Sequence, residues 1–481
     1  MTHIWLEPAG HSERRVIPRP SQRTRRFSAS AADTTGSATP TWHPNANLIP
    51  LERHGLDSTL TVVGLLCFGL ATIGFVALDL AGRTPTMAGA VAVPMIAVAS
   101  FTWTRRSIAP TYGQSFAVIV MAGLGLRFLL AVHRVANSAD AWVYQREGAR
   151  LAEHFRRFDF TVETGRSIPG TGSLRYLSGI VNTLTGSTFV ATYLAFVVLA
   201  FAGQVLVLVA FRRWLTARQF RLAALLVMLS PSLAYWPSSI GKESAVIFGI
   251  GLGMWGASRS RIHGVGGLAA LLMGVLAVGL VRPHVAMVLL GGVVAGLLIR
   301  LEHTRSRPML RTASIAIVLV GAMWMAGASA SLFGLDALDG FDDVTAALDF
   351  TQERTSQDHA RFDAARVTTP LDYPWAAATV LFRPFPWEAS SVLSLLSSIE
   401  GVVLLVLAVV AIPGLWRQKR TIVQSPMLVN IAVYVGIFVF VFSAIGNFGI
   451  LTRQRTQVLP FVFVLMALGL AAERMRSQEA A

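Results

Sequence analysis

Residues 189–211 read FVATYLAFVVLAFAGQVLVLVAF, and Arg212 and Arg213 follow at once. No charge interrupts the run, and about 20 residues at helical rise cross the ~30 Å hydrocarbon core of a bilayer. Comparable runs occur at 59–82, 85–104, 114–133, 219–236, 243–258, 264–281, 284–301, 312–332, 393–415, 426–446 and 455–472. The chain therefore reads as an all-α, polytopic transmembrane helical protein of about 12 spans. Its composition agrees. Of 481 residues, 53% are hydrophobic and only 14% charged, against roughly 25% charged in soluble domains, and the mean hydropathy is +0.57.

The formal charge of +15 does not make a nucleic-acid protein, because the arginines fall in short clusters between apolar runs rather than on one basic module. When the connections are assigned alternately to two sides, one side collects Arg105 and Arg106, Arg212 and Arg213, Arg218 and Arg221, Arg259 and Arg261, residues 300–311, Arg417 to Arg420, and Arg474 with Arg476. A side that is basic in every member is cytoplasmic. Both termini then lie inside a plasma membrane. Residues 1–56 form a polar, Arg-rich tail expected to be disordered, and they are too long and polar before the first run to be a cleavable signal peptide. The transmembrane domain is expected over 57–476, with 477–481 as a short cytoplasmic end. Cys67 is the single cysteine and lies in the first run, so neither a disulfide framework nor a cysteine metal site is available. The oligomeric state is unreadable.

The other side carries two long segments, 134–188 and 333–392, and three short polar connections: Tyr235 to Glu243, Val281 to His284, and Asn447 to Arg455. In 134–188 two surface helices are expected. One runs from Asp140 to about Phe158, with Trp142, Leu151 and Phe155 near one face; the other starts after Pro169-Gly170-Thr171-Gly172 and stops at Gly186. Asp140, just after Asn137 and Ser138, reads either as part of a helix N-cap region or as a reactive carboxylate. Lys242, Arg282 with His284, and Arg453 with Arg455 sit at outer ends of runs. Each reads either as a side chain snorkelling to headgroups or as a phosphate ligand. Lys242 opens a helix whose first N–H groups are free, a combination suited to phosphate. Arg127, two turns inside its run, is expected to snorkel outward. No paired Gly/Pro-interrupted helices are evident in the two halves.

In the segment 333–392, Asp336, Asp339, Asp342, Asp343 and Asp349 offer oxygen ligands to a divalent cation but lack EF-hand spacing, and a solvated acidic face explains them better. The segment closes on Arg383, Pro384, Phe385, Pro386, Trp387 and Glu388, a stiff re-entry whose aromatics fit an interfacial belt and whose charge pair fits a headgroup or a sugar acceptor.

A loop with Asp140 followed by Tyr144, two surface helices, a Pro-Gly turn, RYLSGIVNTLTGSTFVATYLAF (175–196) and a run ending LSPSLAYWPSSIGKES (229–244) resembles the GT-C superfamily of membrane glycosyltransferases. The likeness covers about 114–300 and is nearest to the polyprenyl-phosphate-sugar-dependent mannosyltransferase and aminoarabinose transferase group. Here the loop follows three spans rather than one, and Asp140-Ala141 stands where an Asp-Glu pair is common. The resemblance implies a GT-C-like fold with two outer juxtamembrane helices, with Asp140 as base or acceptor-orienting carboxylate. The physical chemistry of the reaction adds expected roles for other residues. Lys242, Arg282, Arg383, Arg453 and Arg455 would hold the donor phosphate as charge grows on it, and Tyr144, His284, Trp387 and Glu388 would line the acceptor side. The function expected is transfer of a sugar from a polyprenyl-phosphate-linked donor to a cell-envelope acceptor. The alternatives are a repeat-unit polymerase using lipid-diphosphate donors and a 12-span transporter or flippase of lipid-linked saccharides, which would place ionisable residues near the bilayer midplane.

Overall fold

The computed structural model describes residues 55–82, 87–260, 264–302, 351–353 and 361–479. The basic tail up to residue 54, the expected span 312–332 and the acidic stretch 336–349 lie outside the described residues. Those described are overwhelmingly helical, with one isolated bridge between Arg361 and Asn447.

In chain order the helices are α1 (Gly55–Leu80), α2 (Ala88–Trp103), α3 (Gln114–Asn137), α4 (Ala139–Phe155), α5 (Thr171–Thr185), α6 (Phe189–Phe211), α7 (Ala217–Leu229), α8 (Pro231–Tyr235), α9 (Lys242–Arg259), α10 (Val265–Val281), α11 (Pro283–Glu302), α12 (Tyr373–Phe382), α13 (Val392–Arg417), α14 (Pro426–Phe442), α15 (Phe448–Gln454) and α16 (Leu459–Glu479). Four helices, Gly55–Leu80, Gln114–Asn137, Phe189–Trp214 and Val392–Arg417, are long and apolar enough by themselves to cross a membrane. A fifth crossing results if the pair Phe448–Gln457 and Leu459–Ala471, bent by 63°, counts as one. Val265–Val281, Pro283–Ile299 and Pro426–Phe442 are apolar but shorter.

The helices stack chiefly as neighbours: α1 on α3, α9 between α6 and α10, α11 on α14, α13 on α16, and α4 on α5. Small residues set the closest of these crossings, as expected where lipid gives no hydrophobic incentive to pack. A methyl group added at Gly203 of α6 would stand 2.5 Å from the Ile247 carbonyl of α9, so the two backbones touch only because no side chain intervenes. α1 and α13, at the margins, turn Leu65, Leu66, Ile73, Leu396, Val403 and Ile412 outward. Such apolar stripes belong against lipid tails.

The two surface helices of 134–188 form nearly where expected. α5 starts at Thr171 and ends at Gly186, whose φ of 73° is the left-handed cap that glycine accepts without strain. α4 buries Leu151 and Phe155 against α5, while Trp142 leaves that face and stacks on Phe189 at 3.7 Å.

Two of the apolar runs are not single helices. Run 219–236 breaks after Leu229, because Ser230 precedes a proline and takes an extended ψ of 125°, and Pro231 has no N–H to continue the ladder. Run 455–472 begins in a 3-10 turn, Arg455–Gln457, and bends before α16, where Pro460 withdraws another N–H. Interrupted helices are thus present on both sides of the chain's midpoint, contrary to the sequence expectation. Arg127 is a second correction. It is 1% exposed and donates to the carbonyl oxygens of Gly123 at 2.7 Å and Met228 at 2.8 Å, so it does not snorkel.

Candidate functional site

The turn from α3 into α4, the loop from α8 into α9, the hinge between α10 and α11, and the helix α15 converge on one cavity of about 410 Å³. Its wall includes Arg134, Asn137, Ser138, Asp140, Tyr144, Ser239, Gly241, Lys242, Glu243, Arg282 and Arg453. These connections all belong to the set that alternating assignment places on one face of the membrane.

Each wall residue is placed by a local device. Gly241 is extended, with φ −166°, and caps α9 without a side chain, so the first N–H groups of α9 and the Lys242 side chain open toward the cavity. The loop before it is held by Ser244, whose hydroxyl donates to the Gly241 carbonyl at 2.7 Å and to the Ser239 carbonyl at 3.1 Å. Arg282 terminates α10 and is stretched between two partners: Nη2 donates to Glu243 Oε1 at 2.8 Å and Nη1 to Gln454 Oε1 at 2.8 Å. One guanidinium therefore ties together the start of α9, the end of α10 and the end of α15. Trp236 is flanked by two cations, with Arg134 at 5.4 Å and Arg453 at 5.1 Å from its ring centroid. Arg134 also lies 5.0 Å from the Tyr235 ring.

Asp140 stands in the first turn of α4, where the dipole favours its negative charge. It is 71% exposed and faces Arg453 Nη1 at 3.7 Å. No side-chain capping bond is made at Ser138, the residue before α4. Tyr144, one turn along, is held above the usual tyrosine range, first by burial and then by the nearby carboxylates of Asp140 and Glu243. Its phenol therefore keeps its proton and acts as a hydrogen-bond donor.

Charge in the cavity does not balance. Four cations, Arg134, Lys242, Arg282 and Arg453, face two carboxylates, Asp140 and Glu243. Glu243 is taken by Arg282, and Asp140 lies beside Arg453. Lys242 is neither hydrogen-bonded nor within ion-pair distance of any described residue, and Arg282 beside it repels it. A half-buried ammonium at a helix N-terminus, with a like charge beside it, has the chemistry that suits an anion.

Five of the ten residues singled out in the sequence, Asp140, Tyr144, Lys242, Arg282 and Arg453, meet in this cavity. The other five do not line it. Arg455 is 0% exposed and bonds to the Arg383 carbonyl, Ser232 and Ser397, so it has no face to offer a ligand. Arg383 gives its Nε to Glu388 Oε1 at 2.7 Å and lies 4.3 Å over Phe362, which commits both Arg383 and Glu388 to folding the 383–388 re-entry. Trp387 is 81% exposed and stacks on Phe385, as an interfacial aromatic would. His284 is half-buried, with its ring 6.0 Å from that of Phe442.

Sequence reading passed over Arg134, Trp236, Ser239 and Gln454. A signal for Arg134 was present, since it lies seven residues after Arg127 and so on the same side of α3. Among the described residues no three His, Cys, Asp or Glu side chains come together as a metal site.

No protein-family model, curated protein or solved structure matches this chain.

Proposed function

We propose that the protein is a multi-pass membrane glycosyltransferase of GT-C type, with about 12 spans and both termini cytoplasmic. It takes a sugar from a polyprenyl-phosphate-linked donor at the outer face of a plasma membrane and passes it to a cell-envelope acceptor. The observation that carries the reading is the unpaired Lys242 at the start of α9, in a cavity whose far wall presents the exposed carboxylate of Asp140.

In the reaction, the bond between the anomeric carbon and the phosphate oxygen breaks and its electron pair leaves with the phosphate. The acceptor hydroxyl oxygen forms the new bond to that carbon, and its proton passes to Asp140. Lys242, Arg134 and the N–H groups of α9 stabilise the charge that accumulates on the departing phosphate. Arg282 holds the walls in place and Tyr144 donates a hydrogen bond to a donor or acceptor oxygen. Catalysis of this kind rests on positioning and electrostatics.

A lipid-diphosphate donor, as a repeat-unit polymerase would use, is favoured by one specific feature: two cations, Arg134 and Lys242, lack a carboxylate partner among the described residues, and two phosphates would match them. Transport is disfavoured because Arg127, Glu400 and Arg455, ionisable residues buried in the bundle, are already committed to protein partners.

The purified protein, incubated with a radiolabelled polyprenyl-phosphate sugar or its diphosphate counterpart and a membrane acceptor extract, should transfer label. Asp140→Asn and Lys242→Ala should abolish most of that transfer. Undiminished transfer in both variants would remove the cavity from the mechanism, and no transfer from either donor class would remove the enzyme.

A further inference from the structure

Beneath the cavity, three charged side chains are buried where a soluble core would hold none. Pro231 cannot donate to the Val227 carbonyl, and Ser232, the next residue able to extend the ladder, gives its N–H to Glu400 Oε1 and Oε2, both at 3.1 Å, rather than to Met228. The carbonyls of Val227 and Met228 at the end of α7 are met by Arg127, at 3.3 and 2.8 Å. Gln204, hydrogen-bonded to the same guanidinium, donates from its amide to the Leu233 carbonyl at 2.9 Å. The break between α7 and α8 thus has its orphaned acceptors met by a cation and its orphaned donor by an anion, which is the satisfaction that a helix interruption requires where water is absent.

Glu400 is also the link to the second break. Its Oε1 accepts from Ser230 Oγ at 2.6 Å and its Oε2 from Ser232 Oγ, which in turn accepts from Arg455 Nη2 at 3.0 Å. Arg455 lies 3.9 Å from the same carboxylate, and its Nη1 reaches the Arg383 carbonyl at 2.8 Å. From these anchored points the chain is short. Trp236 follows directly after α8, Lys242 stands at the end of the same loop, and Arg453 is two residues before Arg455.

We infer that Arg127, Glu400 and Arg455 are positioning residues. They clamp the two helix breaks so that the segments leaving them bring Lys242 and Arg453 to one anion-binding cavity, with Trp236 packed against Arg453. The inference rests on the reading of that cavity as a phosphate site, and it adds what holds the site together. None of the three side chains lines the cavity.

The test uses the full chain in lipid nanodiscs, with Cys67→Ser and a reporter Asn137→Cys on the exposed cavity wall. Inorganic pyrophosphate should slow labelling of the reporter by an impermeant maleimide. Glu400→Gln should raise the half-protecting concentration about tenfold in the folded fraction, equivalent to losing one good charged hydrogen bond, and should speed hydrogen exchange at residues 232–236. Glu400→Asp should recover most of the affinity. Ser232→Ala removes only the shared hydroxyl, survives folding more readily, and should give a smaller shift in the same direction. A merely structural role would lower thermal stability and leave the half-protecting concentration of the folded fraction unchanged; that result in Glu400→Gln and Ser232→Ala overturns the inference. Absence of protection in the parent protein would instead overturn the phosphate reading. Exchange at 232–236 would then still judge the clamp, with an unchanged rate in Glu400→Gln refuting it.

Discussion

Arg453 and Arg455 are two residues apart, yet they live in different media. Arg453 is 46% exposed on the cavity wall, beside an open carboxylate and the face of Trp236, whereas Arg455 is sealed among Ser232, Ser397 and Glu400. The same contrast separates the two tiers of the bundle. The lower tier holds charges whose guanidinium Nη atoms and carboxylate oxygens are met by backbone and side-chain partners, although the Nε atoms of Arg127 and Arg455 find none; the upper tier holds an excess of cations, one of which has no hydrogen-bond or ion-pair partner among the described residues. Buried charge without a partner is costly. Charge in a half-open cavity is cheap to keep, and it is available for a ligand.

That contrast breaks most readily in the lower tier. Glu400→Ala leaves the buried Arg455 guanidinium without its counter-charge and the Ser232 N–H without an acceptor, so stability should fall by about 3–5 kcal/mol. Thermal unfolding in detergent would measure the loss, and a variant as stable as the parent would show that the pair is not a true anchor. Arg127→Met orphans the Val227 and Met228 carbonyls at the end of α7 and should cost about 2–4 kcal/mol by the same assay.

Changes in the upper tier should leave stability nearly untouched and fall on turnover. Lys242→Ala should slow sugar transfer by roughly 100- to 1000-fold with a change in stability below about 0.5 kcal/mol. The two tiers would merge into one if unfolding shifted as much as turnover. Asp140→Asn should reduce transfer by about 100- to 10,000-fold, as loss of a general base does, and should do so without raising the KM for the lipid donor, since in the proposed mechanism Asp140 handles the acceptor hydroxyl and not the donor phosphate.

The smallest expected effect is a titration. Burial and the carboxylates of Asp140 and Glu243 raise the pKa of Tyr144, so the folded protein keeps this proton at a pH where the unfolded chain, with an ordinary value of about 10, has shed it. The stability this site contributes is therefore complete below about pH 10 and declines as pH climbs toward the folded value. The phenolate absorbance difference between the parent and Tyr144→Phe should appear only above the ordinary range. A midpoint at or below it would mean that the cavity is wetter and less anionic near Tyr144 than its geometry implies.

Much of this architecture was legible beforehand, and for definite reasons. Apolar runs announce helices because backbone groups must pair internally wherever side chains exclude water. The turn chemistry of Pro169-Gly170-Thr171-Gly172 and of Gly186 set the ends of α5 to within two residues. Asp140, Lys242, Arg282 and Arg453 could be suspected of a common site because alternation places their connections on one face. What hydropathy concealed were the interruptions. A run such as 219–236 stays apolar across Ser230 and Pro231, and only the partners of Val227, Met228 and Ser232 reveal that the ladder is cut there. Arg383 and Glu388 misled for the opposite reason, since their suspicious spacing turned out to be satisfied internally.

The sequence by itself determined that the chain is a helical membrane-type bundle, where most helices start and stop, and which polar connections to suspect of a common site. These follow from local rules of burial, propensity and charge that act within a few residues. Tertiary structure alone decided which of the shared-face cations would be spent on protein partners and which would be left for a ligand. That depends on what each guanidinium or ammonium meets across the bundle. Arg455 met a carboxylate 55 positions earlier in the chain and was buried with it, while Lys242, at the mouth of α9, feels Glu243 and Asp140 at a distance but forms no ion pair among the described residues.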